Sequence, residues 1–325
     1  MKAVVLDDQL RFRNDVPIRF RNDVPTPAAD LNDGQVMIRV LKAGICETDL
    51  QLCKGYMGFR GVLGHEFVGI AESGPFQGQR VVGEINCYCD RCDFCLRGLK
   101  SHCPHRTVIG ILNHDGAFAE RLIVPQRNLH PVPDGVTDDE AVFVEPVAAA
   151  CRIPEQISLS PADRVVILGD GRLGNLCGQV LKHHGCQVTV VGKHQHKIDL
   201  LKSLSLAAVH LNDLQAEHSA DIVVDCTGSP TGLPTALQLV RPGGTIVLKT
   251  TVAAEQTMHM APIVINEVRI VGSRCGPFAD AIRMLSSGAV QVRPLISDRF
   301  ALEDCTAAFE RATQKDALKV LFDIG

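Results

Sequence analysis

The sequence predicts an α/β protein built from a β-rich part and a doubly wound parallel sheet, and three observations predict it. The first ~145 residues are rich in Gly and Pro and carry short β-branched runs at 36–40, 68–71, 80–82 and 119–124, each bounded by turn residues. From Arg164 onward continuous apolar runs alternate with helical stretches, the pattern of a parallel sheet buried on both faces. Between the first such run and the first helix lies the string Gly169-Asp170-Gly171-Arg172-Leu173-Gly174. A chain of 325 residues has room for about two domains of this kind.

Taken in order, residues 1–8 read as a first strand, because Asp7 and Asp8 arrive too early for a signal peptide. The heptapeptide Arg-Phe-Arg-Asn-Asp-Val-Pro occurs at 11–17 and again at 19–25. This period is far too short for a solenoid and reads as a local duplication lengthening an N-terminal hairpin. The second part predicts strands at 165–168, 188–191, 222–225 and 245–249, with 268–271 closing the sheet. Helices are predicted over 173–184, stopped by Gly185, and near 233–240, followed by a turn at Pro242-Gly243-Gly244. The tail carries helix-like segments at 280–287 and 302–313 and a last strand at 318–322, which predicts a return to the first domain.

Composition narrows the function. A chain 46% hydrophobic and 22% charged is an ordinary globular protein, and it holds no run of ~18 apolar residues to span a bilayer. A net charge of −4 supplies no basic field for nucleic acid or an anionic membrane, and the absence of Trp removes the best stacking platform. The expected partner is therefore a small molecule, with neither nucleic acid nor membrane, and the expected location is the cytoplasm.

Five of the thirteen cysteines fall between Cys87 and Cys103, and in a reducing compartment clustered thiols point to metal rather than disulfides. Cys89-x2-Cys92-x2-Cys95-x7-Cys103 can wrap one tetrahedral Zn²⁺ with four sulfurs, a closed shell that leaves no place for substrate and is therefore structural. A register using Cys87 in place of Cys89 is less regular. The glycine string carries a second chemistry. Its first Gly makes the turn, its second lets a pyrophosphate approach the backbone, and its third lets helix pack on strand. The free N–H groups of the helix N-terminus, at Arg172 and Leu173, then favour phosphate. An acidic residue is expected ~20 residues on, at the end of the second strand, to hold the adenosine ribose. There this chain has Gly192-Lys193-His194, which offers positive charge and leans the expected coenzyme toward NADP over NAD.

A third constellation is dispersed: Cys46 in Gly44-Ile45-Cys46-Glu47-Thr48-Asp49, then Gly64-His65-Glu66, then Glu145-Pro146. With these motifs in this order, the chain resembles the zinc-dependent medium-chain alcohol/polyol dehydrogenases over essentially its whole length. The resemblance implies a GroES-like catalytic domain over 1–147 with a zinc lobe at about 86–104. It also implies a Rossmann domain over 148–273, a return to the first domain over 274–325, and a catalytic zinc in the cleft between the domains. On matching positions Cys46 and His65 would be zinc ligands, and Glu145 the carboxylate ligand of the sorbitol dehydrogenase-like branch. Glu66 would be a nearby or exchanging ligand, and Asp49 would orient the His65 ring.

The implied activity is interconversion of an alcohol (a secondary alcohol, polyol or sugar derivative) with its ketone or aldehyde, by hydride transfer to NAD or NADP. Thr48 would take the alcohol proton, and the protein would be a homo-oligomer, dimer or tetramer. One departure stands out: where many members have Asp-x-His, this chain has Asp49-Leu50-Gln51, and Gln cannot relay a proton as imidazole does. Two other readings compete: a reductase of the same fold with only the structural zinc, and a non-enzymatic zinc-lobe binding protein.

Overall fold

The structure, a computed structural model, describes residues 1–6, 18–30, 34–215, 217–250 and 258–325. It divides into two compact units: residues 1–145 with 295–325, and residues 146–294.

In the first unit β1 (Ala3–Leu6) pairs antiparallel with β2 (Ile18–Arg21). This is the predicted N-terminal hairpin; the first heptapeptide copy, 11–17, lies outside the described residues. The long strand β3 (Gln35–Gly44) alternates inward Val36, Ile38 and Val40 with outward side chains, as a half-buried strand must. Then come α1 (Glu47–Cys53), β4 (Gly61–Val62), β5 (Glu66–Ala71) and β6 (Arg80–Gly83). The short hairpin β7 (Asn86–Cys87) and β8 (Thr107–Val108) brackets α2 (Asp93–Leu96). They are followed by β9 (Arg121–Pro125), β10 (Leu129–Pro131), α3 (Asp138–Ala141) and α4 (Val144–Gln156), which runs across the division between units.

The second unit is a six-stranded, all-parallel sheet. Its strands are β11 (Arg164–Leu168), β12 (Gln187–Gly192), β13 (Ala207–His210), β14 (Ala220–Asp225), β15 (Val240–Leu248) and β16 (Arg269–Gly272). Their spatial order, β13-β12-β11-β14-β15-β16, is that of the doubly wound dinucleotide fold. Helices α5 (Arg172–His183), α6 (Gln195–Ser203), α7 (Gly232–Leu239), α8 (Ala261–Ile265) and α9 (Phe278–Ser286) complete the unit. Helix α5 lays Leu176, Cys177, Val180 and Leu181 inward, an apolar stripe at helical spacing. The turn at Pro242–Gly244 is an excursion within β15, whose register on β14 jumps from Ala220↔Val240 to Ile222↔Thr245. Strand β13, a partly exposed edge whose apolar run is short and made mostly of Ala, is absent from the sequence reading.

The chain returns to the first unit at Leu295, not at 274. The reason is packing: α9 sets Met284 Sδ 3.7 Å from Cys151 Sγ, and Gln179 bonds the backbone of Gln291 on both its N–H and C=O. In the first unit β17 (Ile296–Ala301), α10 (Cys305–Ala312) and β18 (Lys319–Asp323) complete the seven-stranded sheet, with β18 pairing antiparallel to β3. Its core centres on Phe118, whose ring meets those of Phe309 and Phe322 edge-on.

Candidate metal centres and dinucleotide turn

In the loop between β7 and β8 the sulfurs of Cys89, Cys92, Cys95 and Cys103 converge. Four of their separations are 3.5, 3.6, 3.7 and 3.9 Å. Disulfides need about 2.05 Å. A tetrahedron of four sulfurs around zinc at ~2.3 Å needs edges of about 3.8 Å, so the cluster fits that ion. Backbone N–H groups of Arg91 and Cys92 draw the Cys89 thiol down to about 6, whereas burial and the neighbouring thiols push Cys95 up to about 12. Such crowded thiols do not all ionise without a cation to share. Cys87 lies outside the cluster, buried near the Ile85 carbonyl and the Asn128 amide. The structure thus gathers the Cys89 register.

The second cluster is assembled by sheet register. Gly44 at the end of β3 pairs with Glu66 at the start of β5 and with Leu321 of β18. Cys46 then caps α1, its backbone N–H held at 2.8 Å by Asp49 Oδ2. The result places donor atoms of Cys46, His65 and Glu66 within 4.8 Å of one another. Asp49 Oδ1 lies 3.4 Å from His65 Nδ1, facing that side of the ring, and Thr48 Oγ1 lies 3.8 Å from Cys46 Sγ. Burial disfavours a charged His65 ring, but the Asp49 carboxylate and Cys46 sulfur together raise it well above its usual range.

Glu66 Oε2 forms a fully buried ion pair with Lys319 Nζ, which also donates to Ile45 O at 3.3 Å. A Cβ at Gly44 would come within 2.8 Å of that carboxylate oxygen, so glycine makes the space. Three buried atoms here have no hydrogen-bond partner: Asp49 Oδ1, His65 Nδ1 and Glu66 Oε1. A soft sulfur, an imidazole and an unsatisfied carboxylate oxygen together suit a zinc ion. Glu145, half-buried in the first turn of α4, is not among the three donors gathered, whereas the β3–β5 register sets Glu66 beside Cys46 and His65.

In the second unit β11 runs into Gly169, whose φ of +115° and close approach to Cys226 O favour glycine. A Cβ at Gly174 would lie 2.0 Å from Gly169 O, so helix and strand touch here as the fingerprint requires. A Cβ at Gly171 would meet no protein atom, and no side chain caps the α5 N-terminus, where Arg172 and Leu173 begin the helix. That open space at a helix N-terminus fits a pyrophosphate. The NADP expectation rests on the lack of a carboxylate at the end of β12. The structure brings one there from the turn itself: Asp170 Oδ2 accepts the N–H groups of Lys193 and His194, each at 2.8 Å.

Residues 32–134 match the alcohol dehydrogenase GroES-like domain, and residues 173–287 match the zinc-binding dehydrogenase domain. A sorbitol dehydrogenase of Halalkalibacterium halodurans is 30% identical over 312 residues, covering 88% of this chain and 91% of that protein. The chain belongs to the zinc-dependent medium-chain alcohol/polyol dehydrogenases. Among solved structures, an alcohol dehydrogenase from a Thermus species superposes with a TM-score of 0.89 at 26% identity over the whole of both chains. An Escherichia coli protein named as a short-chain alcohol dehydrogenase, solved with NADH, gives 0.87 at 26% identity over 99% of each.

Two residues of this dehydrogenase escape a reading of the sequence. Lys319 sits in an apolar run (Leu318 to Phe322) and has no local motif; only the pairing of β18 with β3 brings it to Glu66. Asp170 is a variable position of the glycine string, and only the adjacency of β11 and β12 carries it to Lys193 and His194. Gln51 donates to Glu47 Oε1 at 2.8 Å, an exposed helical contact that carries no proton-relay group.

Proposed function

We propose that this dehydrogenase oxidises a secondary alcohol of a polyol or sugar derivative to the ketone, and runs the reverse reduction, with one zinc at Cys46, His65 and Glu66. A second zinc at Cys89, Cys92, Cys95 and Cys103 is structural. The observation that carries the reading is the convergence of three unlike donors, Glu66 with an unsatisfied buried oxygen, in a chain that also holds a glycine turn fit for a dinucleotide. The polyol class is supported by the named relatives, a sorbitol dehydrogenase and a D-arabitol-phosphate dehydrogenase of Enterococcus avium.

Zinc held by three protein ligands supplies a Lewis acid that favours the alkoxide form of an alcohol. The nicotinamide dinucleotide supplies the hydride acceptor. The protein's own groups do the rest. Cys46 as thiolate and Glu66 as carboxylate would offset the ion's charge, while Lys319 adds behind Glu66 a positive charge that balances the buried Asp49 carboxylate. Asp49 faces His65 Nδ1, which leaves Nε2 as the ring atom that would hold the metal. The Thr48 hydroxyl, beside Cys46, would accept the alcohol proton while giving its own to solvent, and Gln51 in the outer position adds no imidazole to that path. Four thiols gathered as for a metal support a reducing compartment such as the cytoplasm.

The homo-oligomer reading is supported by the edge of the parallel sheet. Strand β16 ends the sheet with Ile270 exposed, and α8 shows Val264 and Ile265 to solvent, an apolar margin that a second copy would cover.

The deciding experiment is metal analysis with activity. Two zinc per chain are expected. Cys46→Ala should lose one zinc and turnover with polyols while still binding the dinucleotide. One zinc in the wild type would favour the reductase with a structural zinc only, and near-normal turnover of Cys46→Ala would overturn the catalytic assignment.

A further inference from the structure

We infer that Asp170, inside the glycine turn, is the specificity-determining residue for the adenosine ribose, and that it selects NAD over NADP. The inference rests on the dinucleotide reading of that turn. In this fold class a carboxylate at the end of the second strand accepts the ribose 2′-hydroxyl and repels a 2′-phosphate. Strand β12 ends without one, at Gly192-Lys193-His194. Asp170 supplies the missing group from the neighbouring strand's turn. Its Oδ2 accepts the N–H groups of Lys193 and His194 at 2.8 Å each, and His194 Nδ1 lies 3.1 Å from Oδ2 and 3.2 Å from Oδ1.

Gly192 is what admits it. A Cβ there would lie 2.6 Å from the Asp170 Cβ and 2.7 Å from Oδ2, so any other residue would displace the carboxylate. The charge is negative at neutral pH: burial pushes the Asp170 carboxyl up, but the N–H donors of His194 and Lys193 outweigh it and hold the group below the usual carboxylate range. Two strong donors use Oδ2, whereas among the described residues Oδ1 meets the His194 ring and keeps acceptor capacity for a ribose hydroxyl. Of the two basic residues that could welcome a phosphate, His194 already turns its ring to Asp170. A 2′-phosphate would therefore meet an anion, with one of the two basic side chains already turned toward it.

The test uses the zinc-loaded full chain and equilibrium titration calorimetry with ADP-ribose and 2′-phospho-ADP-ribose, which isolate the adenosine half, alongside NAD and NADP. The wild type is expected to bind ADP-ribose at least about tenfold more tightly than its 2′-phosphorylated form, the repulsion expected of like charges in contact. Asp170→Asn keeps the shape and removes the charge, and should lower that ratio by at least about tenfold. Equal or tighter binding of the phosphorylated form by the wild type overturns the inference, and does so without any variant should Asp170→Asn fail to fold. An unchanged ratio in a folded Asp170→Asn also overturns it. Binding of none of the four compounds would overturn the dinucleotide reading itself, and this inference with it.

Discussion

Replacing Lys319 by Met removes one partner of a fully buried ion pair and leaves Glu66 facing no cation. Both side chains are shielded, at 0% and 1% exposure, so solvent cannot take over the ammonium's role. Breaking a buried pair from one side costs about 3–5 kcal/mol, because the remaining charge is left uncompensated. The Ile45 carbonyl also loses a donor, a further cost of about 1 kcal/mol. For metal-free protein we expect Lys319→Met to destabilise the first unit by about 5 kcal/mol in urea unfolding followed by far-UV circular dichroism. Adding Glu66→Gln to Lys319→Met removes the stranded charge and should recover most of that loss, since the net worth of a buried pair is far smaller than the cost of halving it. Zinc should also rescue the single variant more than the wild type, because an ion beside Glu66 replaces the lost positive charge. A Lys319→Met protein within about 1 kcal/mol of wild type, or a double variant no more stable than the single one, would refute the reasoning.

The other predictions concern the lobe and the turn. Cys89→Ser should reduce zinc from two ions per chain to one by inductively coupled plasma mass spectrometry, while Cys87→Ser should keep both, since only Cys89 belongs to the sulfur cluster. Gly171→Ala should unfold within about 0.5 kcal/mol of wild type, because its Cβ meets no protein atom, yet weaken dinucleotide binding measured by calorimetry. Gly174→Ala should instead lose both, since its Cβ cannot coexist with Gly169 O at 2.0 Å.

Comparing the sequence with the structure shows which signals are local. The four-cysteine spacing and the glycine string each lie in one loop, where a few residues of chain settle which atoms can meet. The strands at 165–168, 188–191 and 222–225 are legible because burial on both faces makes them continuously apolar. Strand β13 lacks that signature, being an edge with one face partly exposed. The end of the second unit was equally hidden: α9 has the same amphipathic pattern wherever it packs, and only its contact at Cys151 assigns it.

The amino-acid order alone thus determined the family, the fold class, the sulfur cluster and the dinucleotide turn, because each depends on neighbours along the chain. What only the tertiary structure decided is the identity of groups that meet from distant segments. Glu66 stands within reach of Cys46 and His65, Lys319 arrives from the last strand, and Asp170 crosses from one strand's turn to the next strand's end. The physical reason is register: hydrogen-bonded strands fix which residues stand side by side, and a one-residue slip would send each of these side chains to the opposite face.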